Sequence, residues 1–373
     1  MKVALIHYWL VTMRGGEKVL EALCELFPGA DIFTHSHDPG SISSTINAHD
    51  IKTTFIGSLP FSNRLYKSYL PLMPLALEQL DLRDYDLIIS SESGPAKGVV
   101  APASAVHLCY CHSPMRYIWN MYNEYRERSG LIKRAAMPAI AHYLRLWDVT
   151  AAARVDQYVA NSHTVAARIR RYYGRDADVI NPPVDIKAFE VVPDAERSDY
   201  FLMAGELVAY KRPELAVRAF NRLQAKLVVI GGGEMLERVR QLAGPTITVM
   251  GSQPFAVLRH HYSRCQALIF PGEEDFGIVP VEAMASGRPV IAYGRGGATE
   301  SVIPGVTGVF FSEQSVEAIL DAVRRFERTR FEPKQIAAYA ARFGISRFKI
   351  EMTEQVDRLL NARTNNAGLR RVV

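Results

Sequence analysis

Short apolar runs alternate with segments of helical periodicity along most of the chain. The runs KVALIHYW, DLIIS, VHLCYC and DQYVA have the length of strands and carry few polar positions. Nearly continuous apolar strands are typical of parallel sheets that are covered on both faces, so the pattern predicts an α/β fold. A turn at Gly15-Gly16 is predicted after the first run, followed by a helix from Glu17 to Leu26.

The alternation breaks at residues 181–185, NPPVD, because two consecutive prolines exclude a helix interior or a central strand. It restarts with the runs YFLMAG, KLVVIGGG, ITVMG, ALIF, PVIAY and GVFF. We therefore predict two doubly wound, Rossmann-like domains, residues 1–183 and 184–344. A helix at about 345–361 is predicted to join the N-terminal domain, and 362–373 is predicted to be a weakly ordered tail.

The composition and the cysteine spacing indicate the general type of protein and its compartment. A hydrophobic content of 48% and a charged content of 22% are typical of a soluble globular chain. The N-terminal apolar run is interpreted as a buried strand because no small-residue cleavage site of a signal peptide follows it. The four cysteines have no disulfide-framework spacing, which favours a reducing cytoplasm. Cys109-x-Cys111-His112 lacks a second ligand pair at zinc spacing, so no metal is expected.

A formal net charge of +5 favours anionic partners such as nucleic acid, phosphorylated small molecules or an anionic membrane surface. A basic, solvated surface without a partner fits the charge equally well. No nucleic-acid-binding motif occurs in the sequence, so nucleic acid is not expected as a partner.

Candidate binding residues lie in loops after predicted strands, because ligands of doubly wound sheets bind beyond the carboxyl ends of the strands. Gly16 lets a ligand approach the backbone at a helix start, or else forms a tight turn. His112 follows a strand and can donate to a substrate hydroxyl or phosphate, or be satisfied by backbone groups. Lys211 and Arg212 are placed at a predicted helix start, where cations oppose the helix dipole unless an anion such as phosphate binds there.

The stretch FPGEEDFGIVPVEAMASG, residues 270–287, combines a predicted helix start with two acids, Glu274 and Glu282. Acids near a helix N-terminus need no ligand to explain them, since the dipole favours them. Together with free amides, however, they suit a molecule that carries phosphates and hydroxyls. The run VVIGGGEML approaches a dinucleotide fingerprint but has Leu236 in place of the last glycine, which disfavours an NAD-dependent oxidoreductase.

Residues 274–282 resemble the E-x7-E motif of retaining glycosyltransferases of family 4, which have the GT-B fold. AMASGRPVIA and GGATE follow in the family's order, and the Gly15-Gly16 turn, the His112 loop and YKR at 210–212 precede them. The resemblance runs from the first strand to about residue 312. Within the family, YCHSPMRYIW and YGRGGATESV are most similar to bacterial mannosyltransferases that use GDP-mannose to build lipopolysaccharide and exopolysaccharide.

The resemblance implies two Rossmann-like domains facing a central cleft, and metal-independent hexosyl transfer without a cofactor beyond the nucleotide-sugar. GDP-mannose is favoured as donor, with a UDP-sugar as the alternative. Glu274, His112 and Lys211 would act at the reacting centre, on donor hydroxyls and the diphosphate. The implied donor-binding residues are Gly16, Gly205, Lys211, Arg212, Met250, Gly251, Phe276, Gly277, Ile278, Val279 and Glu282.

One position departs from the family pattern. The family has arginine directly after the glycine that ends the strand before YKR, and this chain has Glu206. An acid beside a diphosphate is repulsive, so either Arg212 or Arg295 replaces that arginine or Glu206 turns away.

The acceptor side is predicted from residues 55–80 and 131–145, which mix apolar and basic side chains. These two segments suit an anionic membrane that carries a polyprenyl-diphosphate-linked or other glycan acceptor. The basic residues expected to contribute are Arg64, Lys67 and Arg116, the last lying beyond the His112 loop. The alternative is ordinary amphipathic helices packed on the domain. The expected location is the cytoplasm, with possible peripheral contact to the inner face of the membrane.

Three other functions stay open at this stage: a GT-B sugar-nucleotide epimerase, a non-catalytic sugar-nucleotide-binding protein, and a glycosidase that uses Glu274 and Glu282 as its carboxylate pair. The glycosidase is disfavoured because Glu282 falls at a helix start that suits ribose binding.

Overall fold

The computed structural model describes residues 1–369, with side chains for all of them except Asp194 and residues 365–369. The chain divides into two compact units. The first contains Met1–Pro182 together with the segment that begins at Phe348, and the second is Pro183–Arg347.

The first unit is built on a parallel sheet, which has seven strands within residues 1–369, in the order β3-β2-β1-β4-β5-β6-β7. Its strands are β1 (Val3–His7), β2 (Asp31–Thr34), β3 (Ile51–Thr53), β4 (Leu87–Glu92), β5 (Val106–Cys111), β6 (Gln157–Ala160) and β7 (Ala177–Val179). Its helices in this part of the chain are α1 (Gly15–Leu26), α2 (Ser44–Asn47), α3 (Ser62–Leu65), α4 (Met73–Glu78), α5 (Tyr122–Glu127), α6 (Leu131–Ala152) and α7 (His163–Tyr173).

Both faces of this sheet are buried. On one face Leu5 and Ile89 cluster with Leu20 of α1, and on the other Ile6 clusters with Leu144 of α6. Full burial of each such side chain is worth about 1.5–3 kcal/mol. The continuous apolar strands in the sequence are explained by this two-sided packing.

The register places polar side chains at the carboxyl ends of three neighbouring strands. His7 lies opposite Ser91 in the β1–β4 pair, and Glu92 lies opposite Cys111 in the β4–β5 pair. His112 follows β5 directly. Groups that can bind or position a ligand therefore lie together at the carboxyl ends of β1, β4 and β5.

Helix α1 begins earlier than expected. Gly15 and Gly16 form its first two residues, so the predicted glycine turn before Glu17 is wrong. The backbone N–H of Arg14 donates to Glu17 Oε2 at 2.9 Å, which satisfies a donor at the helix start and fixes where the helix begins.

The second unit is also built on a parallel sheet, whose described strands follow the order β10-β9-β8-β11-β12-β13. They are β8 (Phe201–Ala204), β9 (Leu227–Ile230), β10 (Ile247–Gly251), β11 (Leu268–Phe270), β12 (Val290–Tyr293) and β13 (Gly308–Phe311). The helices of this unit are α8 (Pro213–Leu223), α9 (Leu236–Leu242), α10 (Phe255–Arg264), α11 (Ile278–Ala285), α12 (Ala298–Ser301), α13 (Val316–Glu327) and α14 (Pro333–Ala340).

The last helix, α15 (Ile345–Leu369), buries Phe348, Met352 and Val356 in the core of the first unit. The predicted weakly ordered tail, residues 362–373, begins within this helix, and its last four residues lie outside the described part of the chain. No helix among the described residues is long and apolar enough to cross a membrane.

Candidate active-site residues

Lys211 and Glu274 form an ion pair in the second unit. Lys211 ends a short turn after β8, Glu274 lies in the loop between β11 and α11, and Nζ is 3.0 Å from Oε1. The two side chains are 16% and 17% exposed. Burial lowers the pKa of the Lys211 ammonium, but Glu274, Tyr210 and Glu206 outweigh it and hold the pKa above its ordinary value. Two residues predicted to act at the reacting centre are thus in contact.

Glu206 lies near enough to Lys211 for its carboxylate to contribute to that raised pKa. The acid that departs from the family pattern therefore stands beside the lysine expected to bind the diphosphate. Arg212 is exposed, has a left-handed backbone (φ 52°), and its guanidinium is 3.9 Å from Glu214. Helix α8 begins after it at Pro213, so Arg212 caps the helix start and lies outside its first turn.

Helix α11 begins at the predicted position. Gly277 precedes it with a φ of 86°, and the first N–H groups of the helix, from Ile278 onward, have no partner within the helix. Glu282 lies one turn inside, where its Oε2 accepts a hydrogen bond from the Tyr262 hydroxyl at 2.8 Å. Burial, and then Glu282, raises the pKa of that phenol, which therefore stays a donor. Nothing in the sequence pattern identified Tyr262.

Two glycines hold the Glu274 loop in place. The N–H of Gly297 donates to the Glu274 carbonyl at 2.8 Å. A Cβ at Gly297 would lie 2.2 Å from Phe276 Cα, and one at Gly296 would lie 2.5 Å from the Glu274 carbonyl oxygen. The close approach of this turn to the loop therefore requires glycine at both positions.

The remaining residues of this unit that are predicted to bind the nucleotide-sugar include Gly205, Met250 and Gly251, which lie at the ends of strands. Gly205 follows β8 with a φ of 116°, and a Cβ there would lie 3.7 Å from Lys211 Nζ. Gly251 ends β10 with a φ of 71°, and the Met250 carbonyl accepts from Gln253 Nε2 at 2.8 Å. In the sheet β10 is separated from β8 by β9, so Gly205 lies beside Lys211 while Met250 and Gly251 lie two strands away.

In the first unit the structure brings Gly16 and His112 together. A Cβ at Gly16 would lie 3.7 Å from His112 Nε2 and 2.3 Å from the Tyr8 hydroxyl, so only glycine fits there. Burial, and then His7, lowers the pKa of His112 to about 3, which keeps this imidazole neutral at physiological pH. His112 is therefore available for hydrogen bonding rather than for ion pairing.

A buried ion cluster beside His112 was missed by the sequence analysis. Lys97 Nζ is 2.7 Å from Glu92 Oε1 and also contacts Asp148, and all three side chains are fully buried. Trp119 Nε1 donates to Asp148 Oδ2 at 2.7 Å, and the Glu92 carbonyl accepts the His112 N–H at 2.7 Å. The cluster ties the end of β4 to α6 and to the His112 loop.

The residues predicted for the acceptor side lie in three segments of the first unit. Arg64 and Lys67 are exposed, in α3 and in the turn after it, and Phe61 beside them is 71% exposed. Leu131 and Ile132, at the start of α6, are 85% and 87% exposed. Arg116, after the His112 loop, is only partly exposed. Residues 55–80 form several short helical segments, and among them Met73 and Leu77 are buried in the unit, as the alternative of packed helices predicts.

Two family models together span most of the chain. The model described as Glycosyltransferase Family 4 matches residues 13–188, and the one described as Glycosyl transferases group 1 matches residues 185–343. Each of the two units thus matches a glycosyltransferase family model, and the chain has the GT-B fold.

Solved GT-B structures share the fold over nearly the whole chain. The structure of Anabaena Alr3699/HepE in complex with UDP and glucose covers 96% of this chain and 99% of its own, with a TM-score of 0.72 and 17% identity. Sucrose-phosphate synthase from Thermosynechococcus elongatus covers 97% and 100%, with a TM-score of 0.73 and 20% identity.

Curated relatives of this chain include D-inositol 3-phosphate glycosyltransferases. The one from Kribbella flavida is 30% identical over 200 residues, which are 45% of this chain and 47% of that protein. The one from Mycobacterium tuberculosis is 26% identical over 221 residues, 51% of this chain and 46% of that protein. The chain spans about half the length of the curated relatives that it matches.

Proposed function

We propose that this GT-B chain transfers a hexose from a nucleoside diphosphate sugar to an acceptor hydroxyl, with retention at the anomeric carbon and without a metal. The observation that carries the proposal is the Lys211–Glu274 ion pair, which lies directly before a helix start that has Glu282 one turn inside it. A cation, free amides and two carboxylates at one strand edge match the phosphates and hydroxyls of such a donor.

In the proposed reaction the bond between the anomeric carbon and the diphosphate oxygen breaks, and the acceptor oxygen bonds to the same face of that carbon. The acceptor's proton passes to the departing phosphate oxygen. Lys211 and the first amides of α11, from Ile278 onward, stabilise the charge that develops on the diphosphate, a contribution that is often the largest in catalysis. The diphosphate competes with Glu274 for Lys211, and the released carboxylate accepts hydrogen bonds from donor hydroxyls, while Glu282 holds the ribose.

Mannose from GDP-mannose is the donor that we propose, because the His112 and Gly296 loops resemble those of bacterial mannosyltransferases. A solved structure with the same fold contains UDP and glucose, so a UDP-sugar is the competing donor. The acceptor is proposed to be a glycan or a polyprenyl-diphosphate-linked oligosaccharide of cell-surface polysaccharide synthesis.

Peripheral contact with the inner face of the cytoplasmic membrane is part of the proposal. The exposed apolar side chains of Phe61, Leu131 and Ile132 lie within three residues of exposed basic residues in the sequence, a combination that favours an anionic bilayer surface. Cosedimentation with anionic vesicles tests this: replacing Arg64, Lys67, Lys133 and Arg134 together by glutamine should abolish it, and unchanged cosedimentation contradicts it.

The first experiment is calorimetric titration with GDP, UDP, ADP and GDP-mannose in the presence of a chelator. GDP should bind, and Lys211→Met and Glu282→Gln should each weaken binding by roughly tenfold or more, equivalent to about 1.4 kcal/mol. Glu317→Gln, a change of the same kind at an exposed residue of α13, should leave affinity unchanged. Selective binding of UDP would keep the reaction and replace the donor, and no binding of any nucleotide would contradict the proposal.

Turnover then separates transfer from epimerisation. GDP-mannose should be consumed only with an acceptor, and the new linkage should keep the donor's anomeric configuration in the NMR spectrum of the product. An inverted linkage, or an epimerised free nucleotide-sugar, would contradict the proposed reaction.

A further inference from the structure

A chain of polar contacts runs through the first unit from α1 to His112. Glu17 Oε1 is 3.8 Å from His7 Nε2, His7 Nδ1 is 3.1 Å from Ser91 Oγ, and Ser91 Oγ is 2.8 Å from His112 Nε2. Glu17 and His7 are each 1% exposed and Ser91 is fully buried. Buried polar groups are hydrogen-bonded, so we expect these side chains to share their hydrogens with one another.

The serine hydroxyl restricts that arrangement. It carries one hydrogen and can donate it to only one of the two ring nitrogens that it contacts, so the other nitrogen must itself carry a hydrogen and donate to Oγ. In the first pattern Ser91 donates to His7 Nδ1, and His112 donates from Nε2. In the second pattern His7 donates from Nδ1, and Ser91 donates to His112 Nε2.

Glu17 decides between the two patterns. A neutral imidazole, the ordinary form of histidine above about pH 6.5, carries its hydrogen on one nitrogen only. In the first pattern His7 presents an Nε2–H to the Glu17 carboxylate, which is attractive. In the second it presents a lone pair to the same negative charge in a region of low dielectric, which is repulsive. The first pattern therefore places the hydrogen of His112 on Nε2 and leaves a lone pair on Nδ1.

We propose that Glu17, His7 and Ser91 are positioning residues that hold His112 in the Nε2–H tautomer, so that its Nδ1 accepts a hydrogen bond from a substrate hydroxyl. His112 is partly exposed, and its Nδ1 has no hydrogen-bond partner among the described residues. The sequence pattern predicts a hydrogen-bond donor at His112, whereas this arrangement makes it an acceptor toward the substrate. The hydroxyl's identity as part of a sugar rests on the proposed function, whereas the tautomer is a property of the protein alone.

Glu17→Gln gives a directional test because of a second contact. Glu17 Oε2 accepts the N–H of Arg14 at 2.9 Å, and a glutamine can keep that bond only through its carbonyl oxygen. Its NH2 group then faces His7 Nε2 and makes that nitrogen an acceptor. The substitution should therefore impose the second pattern and move the His112 hydrogen from Nε2 to Nδ1. Glutamine is compatible with this helix-start position, so the fold should be kept.

Long-range nitrogen–proton correlation spectra of the histidine rings at neutral pH, without ligand, report the tautomer directly. His112→Gln assigns the signals of that ring by their loss. The wild-type protein should show a protonated Nε2 and an unprotonated Nδ1, with the two exchanged in Glu17→Gln. Glu21→Gln, on the same helix but paired with Lys18, should match the wild type. An Nδ1–H tautomer in the wild type, or a folded Glu17→Gln with an unchanged tautomer, overturns the proposal. The wild-type spectrum decides even if the variant does not fold.

Kinetics separate failure of the inference from failure of the proposed function. For a turned-over donor, Glu17→Gln should lower kcat/KM by roughly tenfold, the effect of one hydrogen bond to substrate, while leaving affinity for the sugar-free nucleoside diphosphate unchanged. Loss of that affinity as well would indicate general damage and contradict a positioning role. If the His112 tautomer changes in Glu17→Gln as expected but the protein binds no nucleotide, only the proposed function is contradicted.

Discussion

The two units differ in the residues that shape the carboxyl ends of their strands. In the first unit, buried polar side chains contact one another: Lys97 with Glu92, and His7 with Ser91. In the second unit, glycines with a positive φ shape the backbone of the loops instead. Among residues 1–369, Gly174 is the glycine of the first unit with a positive φ, whereas the second unit has eight: Gly205, Gly231, Gly233, Gly251, Gly277, Gly287, Gly296 and Gly305.

The difference has a physical consequence. A buried polar network is stable only when every member is satisfied, so losing one partner leaves another group uncompensated. A glycine turn fails differently, since an added Cβ displaces the backbone that it touches. We therefore expect the first unit to be sensitive to charge and pH, and the second to be sensitive to volume.

The largest expected effect is that of Lys97→Met. It leaves the Glu92 and Asp148 carboxylates buried without their cation, and breaking a buried ion pair in this way costs about 3–5 kcal/mol of the free energy of unfolding. Urea unfolding followed by tryptophan fluorescence measures it. The sequence has three tryptophans, Trp9, Trp119 and Trp147, all in the first unit.

Lys18→Met is the matched control for Lys97→Met. It removes an exposed lysine paired with Glu21 at 2.9 Å, and such pairs contribute about 0.2–1 kcal/mol. Similar losses in the two variants would contradict the view that the buried cluster stabilises the first unit.

Acid should destabilise the first unit before the second. Burial lowers the pKa of His35 to about 4 and that of His107 to about 3, from an ordinary 6.5. The unfolded chain therefore binds protons first as the pH falls below 6.5, and stability decreases until the pH passes the folded-state values. At pH 5 each histidine should cost about 2 kcal/mol. Hydrogen exchange by mass spectrometry, from pH 7 to pH 5, reports both units.

Two variants test the origin of this pH dependence. His107→Gln should make the decline in the first unit shallower, because one of its three histidines with a lowered pKa, His35, His107 and His112, is gone. His260→Gln, at an exposed histidine of the second unit, should leave the profile of the first unit unchanged. Equal acid sensitivity of the two units would show that the buried histidines are not its cause.

Gly297→Ala tests the sensitivity of the second unit to volume. Its Cβ would meet Phe276 Cα at 2.2 Å, so the Glu274 loop must move, and overpacking of this kind costs about 1–3 kcal/mol. Nucleotide affinity should fall together with stability. In the neighbouring turn, Gly294→Ala meets its nearest atoms at 3.4 Å and should change both quantities little. A Gly297→Ala variant with normal nucleotide affinity would contradict the assigned role of the turn.

The sequence predicted the parts of the molecule that depend on local pattern. The long apolar strands, the linker prolines and the loop before α11 were recognisable because burial and strand ends leave periodic signals. Strands β2, β3 and β7 were missed, since their sequences DIFT, IKT and ADV contain at most two consecutive apolar residues. The polar contacts of Lys97 and His7, and the Tyr262–Glu282 bond, join residues distant in sequence, so only tertiary structure reveals them. The start of α1 was also not predictable from local pattern. Glycines favour a turn, but the bond from the Arg14 N–H to Glu17 extends the helix over Gly15 and Gly16.

The smallest expected effect belongs to Tyr262→Phe, which removes the hydroxyl that donates to Glu282 but keeps the ring beside Phe189. Loss of one hydrogen bond should cost about 0.5–1.5 kcal/mol of stability. Because Glu282 then loses one hydrogen bond that orients it, affinity for the nucleoside diphosphate should fall, but less than in Glu282→Gln. Tyr200→Phe is the control, since that hydroxyl contacts His261 Nδ1 at 3.0 Å and no predicted donor-binding residue. It should lower stability similarly and leave nucleotide affinity intact. Equal affinity losses in the two variants would mean that Tyr262 acts through the packing of α10 and not through Glu282.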